Sequence, residues 1–360
     1  MNARGGVAVV AIAMTVTLPW TSAFNIVTRD PFRDNTTYLY TAGGLAVASL
    51  LMMSYDRWLG LFSLYVTLSS IYTWSYIGLA TAHWVVLGCF LIIVFSHLSF
   101  TQRQWLCDLL VFSAVLQIIY ATHQLFNYDI FYLGSVKKTF THIHGTFGYH
   151  SYLAIFLSLT APLAPIVLLP LFFYGLIISK SMVALVGCVL GLLVTHRKRL
   201  TLRWVALLLT VSVATGWLTI WNRGHYDLGT VASRLETWRL AFVSQHNYLL
   251  GDGFGSWYVT IPRLQVGKYV GTIELFEQAH NEFVQLFFEG GLIAVVIIVM
   301  WLVKNCNVFT GSYGGSLVAL VPSVLMLFPF HLAPLALTAI AVAGIALGEQ
   351  KELQTCASLR

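Results

Sequence analysis

Residues 278–304 read QAHNEFVQLFFEGGLIAVVIIVMWLVK, a polar cluster followed at once by a long apolar run. As a helix rising about 1.5 Å per residue, the run from Glu282 to Val303 is long enough to cross a hydrocarbon layer about 30 Å thick. His280 and Asn281 then stand at the water-facing mouth of a membrane helix, where chemistry on a lipid-borne substrate becomes accessible.

Working outward, the same pattern recurs along the chain. Of its 360 residues 58% are hydrophobic and only 9% charged, and the mean hydropathy is +0.77, values that exclude an ordinary soluble domain. Candidate spans are Val7 to Phe24, Tyr38 to Tyr55, Leu59 to Leu79, Ala82 to Leu98, Trp105 to Phe126 and Ser151 to Ala164. They continue with Ile166 to Ile178, Met182 to Thr195, Trp204 to Trp221, Glu282 to Val303, Ser316 to Phe330 and Ala333 to Gly348, twelve in all. The runs are longer and more uniformly apolar than barrel strands, so an all-α polytopic membrane protein is expected. The two spans flanking Pro162, Pro165 and Pro170 are short enough to be read also as one broken helix.

Lys and Arg in short loops set the orientation, because they are retained on the cytoplasmic side. With the N-terminus inside, Arg57, Arg103 and the cluster Arg197, Lys198, Arg199 and Arg203 fall in the cytoplasm, as do Lys304, Lys351 and Arg360. Residues 25–37, 127–150 and 222–281 then face outward, which in a bacterial inner membrane is the periplasm. The five cysteines lie in spans or on the inner side, so no disulfide is expected, and no zinc-type spacing occurs. The net charge of +6 follows from the inner loops and does not argue for nucleic acid. The first apolar segment itself serves as a first span, and no cleavable signal is required. The chain thus divides into membrane helices over 1–221, a large outer loop over 222–281, and three last helices with a tail over 282–360.

The large outer loop is too long for a simple connection. Within it, Ser233 to Phe242 places Leu235, Trp238 and Phe242 on one helical face, with Ser233 as a candidate N-cap and Arg234 and Arg239 at the watery edge. A glycine-dense segment follows, Gly251, Gly253 and Gly255, which suits either a tight turn or close approach of backbone amides to an anion. The loop over 127–150 holds Lys137, Lys138, His142, His144 and His150 without supporting carboxylates for a metal site. Lys180, between Ser179 and Ser181 at an outer helix end, either snorkels to the surface or faces a phosphate.

The order of these features resembles the O-antigen ligase and polymerase superfamily. The resemblance rests on Arg234 with Trp238, then Gly251, Gly253 and Gly255, then His280 and Asn281, then Glu289, Gly290 and Gly291. Upstream, Gly145 to Gly148 followed by Tyr152, Leu153 and Ala154 is similar to the family's outer-loop motif, and Ser179 to Ser181 is similar to its Ser-Arg helix end. The family's usual Asn-Pro-Asn is here Tyr149, His150 and Ser151, and no role is carried over to them.

The resemblance implies a GT-C-like membrane fold and glycan transfer from undecaprenyl pyrophosphate to an acceptor at the periplasmic face, with neither metal nor cofactor. The leaving pyrophosphate is a stable anion that cationic side chains can stabilise in place of a metal. It implies His280 as general base toward the acceptor hydroxyl and Arg234 as pyrophosphate partner, with Lys180, Arg239, Asn281 and Gly253 as substrate-binding residues. Where the family has arginine, Lys180 keeps the charge but loses the fork that holds two phosphate oxygens. The expected acceptor is the lipid A core oligosaccharide; a second lipid-linked glycan, as in a polymerase, and a pilin hydroxyl are alternatives. A transporter of lipid or solute is the alternative of another class, and it predicts charges at mid-membrane instead of on one face.

Overall fold

The computed structural model describes residues 31–73, 76–126, 143–197, 226–268 and 275–358. The predicted spans over 7–24 and 204–221 lie outside the described residues, as do Lys137, Lys138, His142, Lys198, Arg199 and Arg203. Among the described residues the chain is all-helical. The α-helices are α1 (Pro31–Met52), α2 (Arg57–Thr73), α3 (Tyr76–Ser96), α4 (Phe100–Leu125), α5 (His150–Thr160) and α6 (Leu169–Ser179). They continue as α7 (Met182–His196), α8 (Tyr226–Ser244), α9 (Ser256–Lys268), α10 (Glu282–Lys304), α11 (Gly314–Met326) and α12 (Ala333–Ser358).

Four helices, α3, α4, α10 and α12, are long and apolar enough to cross a membrane. Five further apolar helical segments among the described residues are only 10–17 residues long, so the sequence's twelve spans are not matched one for one by helices of spanning length. Two of these short segments, His150–Leu163 and Ile166–Ser179, match the expected proline-flanked spans to within a residue. Between α5 and α6 the chain passes through two 3-10 turns, Ala161–Leu163 and Ile166–Leu168, and Leu157 of α5 comes to lie against Gly175 of α6. The prolines therefore make a hairpin of two separate elements and not one broken helix.

By internal contacts the chain forms two compact units. The first comprises residues 1–94 and 231–305. Its core gathers Leu45, Met52, Val66, Leu79 and Val86 from α1–α3 with Phe254, Ala294 and Ile297. Asp56 ends the α1–α2 turn by accepting from the Trp58 and Leu59 amides at 3.0 and 3.2 Å, an N-cap, while its other oxygen accepts from the Trp301 indole.

The second unit comprises residues 95–230 and 306–360. Here α7 and α11 pack backbone to backbone: a Cβ on Gly191 would stand 2.5 Å from the Gly315 carbonyl, and one on Gly315 would stand 2.5 Å from that of Gly191. With Gly187 one turn earlier, α7 carries a Gly-xxx-Gly face, the close-packing device of membrane helices. The motif loop before α5 is tied to one face of α4. Gln124 accepts from the His144 and Gly145 amides at 3.1 and 2.9 Å, and Gln117 accepts from the Thr146 amide at 3.0 Å.

Candidate functional site

The site is built at the N-terminal end of α10. Asn281 is the N-cap of that helix: its side-chain oxygen accepts from the Phe283 and Val284 amides at 3.0 and 3.1 Å. Its amide oxygen is therefore engaged in stopping the helix. Immediately before it, His280 has φ 53°, one of two non-glycine residues at positive φ among the described residues. Histidine tolerates this left-handed conformation better than most residues, yet it still costs on the order of 1 kcal/mol.

That conformation is held through Ala279, which is fixed on both sides. The Ala279 amide donates to Gln285 at 3.1 Å, and its carbonyl accepts from the Trp238 indole of α8 at 2.6 Å. Gln285 in turn donates to Glu289 at 3.2 Å, and the same Glu289 oxygen accepts from the Trp257 amide at 3.3 Å. Gln285, Glu289 and Trp257 are buried, and the ring of Trp257 donates to the Phe276 carbonyl. The sequence reading missed Gln285 and Trp257 as site residues. Gln285 and Glu289 stand one helical turn apart in an otherwise apolar stretch, and that spacing was the available signal.

The His280 imidazole stands edge-on to Phe276, with ring centroids 5.5 Å apart at 86°. Burial pushes its pKa down, and the Arg234 guanidinium lowers it further, to about 4. The imidazole is thus neutral near pH 7, and the effect of Arg234 on it places the two expected catalytic residues in one electrostatic neighbourhood.

The other expected site residues fall in varied settings. Arg239 is exposed and bridges to Glu236 at 3.0 Å, a pair one turn apart on α8. Ser233, expected as an N-cap, lies inside α8, which begins at Tyr226; its carbonyl accepts from Thr237. The helix extends further toward its N-terminus than the apolar pattern indicated, and from Ala232 onward its buried members are Thr237 and Ala241, while Leu235 and Phe242 are exposed.

Gly251, Gly253 and Gly255 all take positive φ, at 76°, 98° and 79°. The turn they form packs on α10. The Asp252 and Gly253 amides donate to the carbonyls of Phe288 and Glu289, both at 2.9 Å. The Gly253 N–H completes a hydrogen bond that α10 leaves open where it breaks at Gly291 (φ 62°, ψ −168°). A Cβ on Gly251 would come 2.5 Å from the Gly291 nitrogen, which explains the pairing of the two glycine motifs.

Lys180, in the other unit, is exposed and caps α6 in the left-handed conformation, φ 56° and ψ 28°, with its amide bonded to the Ile177 carbonyl. Within that same unit a cleft of about 360 Å³ adjoins the motif loop, lined among others by Gln117, Thr146, Phe147, Tyr152 and Thr338.

Comparison with protein-family models, curated proteins and solved structures found no match to this chain.

Proposed function

We propose that this chain is a multi-pass bacterial inner-membrane glycosyltransferase of the O-antigen ligase type. It moves a glycan from undecaprenyl pyrophosphate to the lipid A core oligosaccharide at the periplasmic face. In this reading the apolar segments make up about twelve spans, and residues 222–281 form the outer loop. The observation that carries the proposal is the pairing of a half-buried, neutral His280 with the Arg234 charge at the mouth of α10.

The chemistry follows from that pair. His280 accepts the proton of the acceptor hydroxyl as its oxygen attacks the anomeric carbon. The sugar–pyrophosphate bond breaks, and the electron pair leaves with the pyrophosphate, whose charge Arg234 stabilises. Attack opposite the leaving group inverts the anomeric configuration. Burial is the first cause of the low basicity of His280 and Arg234 the second; a pyrophosphate bound at Arg234 offsets that second cause and makes the imidazole a stronger base once donor is present.

Reconstitution tests the proposal. Protein in liposomes with undecaprenyl pyrophosphate glycan is offered lipid A core, a second lipid-linked repeat or pilin in separate reactions. Sugar on lipid A core supports the ligase. Sugar on the repeat makes the chain a polymerase, sugar on pilin makes it a protein glycosyltransferase, and movement of intact lipid or solute without transfer makes it a transporter. Retention of the donor's anomeric configuration would rule out direct attack.

A further inference from the structure

The turn between α8 and α9 is bonded to α10 far from the helix mouth. The Leu292 amide donates to the Tyr248 carbonyl at 2.9 Å and the Ile293 amide to that of Leu249 at 3.3 Å. Lys304 closes α10, and Gly291 lies thirteen residues before it, about 20 Å along a helix. In a hydrocarbon layer about 30 Å thick, that level is roughly 10 Å beneath the outer boundary. We infer that residues 245–255 form a re-entrant loop that enters the outer leaflet beside α10, with Tyr248, Leu249 and Leu250 in contact with lipid hydrocarbon chains. The inference rests on α10 spanning the membrane and is independent of the reaction proposed for His280.

Two further observations carry it. Non-helical backbone at such depth is tolerated only when its polar groups are satisfied within the protein. Asp252 accepts from the His246 and Asn247 amides, the Asn247 side chain accepts from those of Leu249 and Leu250, and the Asn247 carbonyl accepts from the Gly251 amide. The Tyr65 hydroxyl of α2 lies 2.9 Å from the Leu250 carbonyl and 2.8 Å from that of Gly290, and donates to either. At its tip the loop thus meets much of its backbone hydrogen bonding within the protein while leaving its large apolar side chains outward. Tyr248 is 54% exposed, Leu249 56% and Leu250 37%.

The second observation is continuity. Leu292, Val296, Val299, Met300 and Val303 are exposed apolar residues at helical spacing on α10, the pattern of a lipid-facing stripe. Leu292 is bonded through its amide to Tyr248, so the loop tip extends that stripe. The polar pair of the loop, His246 with Asp252 at 3.1 Å, sits at its outward end, where the Asp252 amide meets the Phe288 carbonyl about one turn nearer the mouth. A lipid-chain surface therefore lies directly below the mouth of α10, where His280 stands.

Depth measurement tests the inference. The exposed cysteines Cys306 and Cys356 are replaced by serine, and single cysteines are introduced in the full chain as Leu249→Cys, Tyr248→Cys, Val296→Cys and Arg263→Cys. Each is reacted with a membrane-impermeant charged maleimide in liposomes, then spin-labelled for collision with oxygen and with a water-soluble nickel chelate. The expected result is at least tenfold slower maleimide reaction at 249 than at 263, with oxygen accessibility close to that at 296. Reaction at 249 as fast as at 263 would overturn the inference by placing the loop in water. Low collision with both probes would overturn it by placing the loop against protein. Because residue 248 shares the exposed tip, it decides the matter if the Leu249→Cys variant does not fold.

Discussion

His280 and Lys180 carry almost the same backbone, φ 53° and 56°, at the edges of helices in different units, yet they are held there by different means. Lys180 meets a local demand: a left-handed residue ends α6, as glycine commonly does, and the side chain is left exposed. Around His280 the demand is tertiary. Ala279 is gripped from α8 by Trp238 and from α10 by Gln285, and the imidazole is pressed against Phe276 and loses basicity through burial. Strain that the surroundings support on several sides marks a functional position more strongly than strain that merely ends a helix.

The largest expected effect separates the two residues by activity. His280→Ala should lower glycan transfer in liposomes by about a hundred- to ten-thousandfold, the usual range for losing a general base. Lys180→Ala should lower it by less, since it removes a charge whose phosphate role rests on resemblance alone. Initial rates that ranked the two the other way would break the comparison.

A second test reads stability against pH. Above about 6.5 the His280 imidazole is neutral in both folded and unfolded chains and contributes no slope. As pH falls toward the folded value of about 4, the unfolded chain takes up a proton that the folded chain refuses, so stability declines, by on the order of 3 kcal/mol at full extent. Thermal midpoints in detergent between pH 7 and 4 should show a shallower decline in His280→Gln than in the parent. Equal slopes would mean that residue 280 is not held neutral by its setting.

Next in size is the support itself. Gln285→Ala removes the acceptor of the Ala279 amide in a buried place and should cost about 1–3 kcal/mol of stability. It should also reduce kcat more than it raises KM, because His280 is displaced while donor contacts persist. An unchanged kcat would make Gln285 a folding residue only. The smallest effect belongs to the other corner: Lys180→Gly relieves the left-handed conformation at some cost in chain entropy and should leave a net gain of about 0.5–1 kcal/mol in thermal denaturation.

Much of this was legible in the residues. Hydropathy gave the all-helical class and predicted the course of α10 to within a residue or two, because a long apolar run with a polar flank has one stable solution in lipid. Arg234 and His280 were both named through the resemblance, and the Arg234 charge is close enough to His280 to lower its pKa. The glycines at 251, 253 and 255 were read as suiting a tight turn, and all three take positive φ. What they do with those angles was not legible, since the partners of the Asp252 and Gly253 amides are carbonyls over thirty residues away at a break in another helix. Around Pro162, Pro165 and Pro170 the two short apolar segments were legible to within a residue, but hydropathy left open whether they form two helices or one broken one, because it does not register where a backbone turns. The contact of Gly191 with Gly315 was equally hidden, being a matter of what the side chains lack.

The far end of α12 has a bearing on handling the protein. Beyond its apolar part the helix continues to Ser358, and three nearby polar residues fasten it: Glu349 to Ser312, Lys351 to Ser96, and Glu352 to the guanidinium of Arg103, which is 1% exposed. A reporter appended after this segment leaves the fastening intact. One joined at Gly348 in its place would strand a buried cation, a loss of about 3–5 kcal/mol. Fusion sites for topology mapping therefore belong downstream of Glu352, and a reporter joined earlier would report the damage of the cut instead of the side of the membrane.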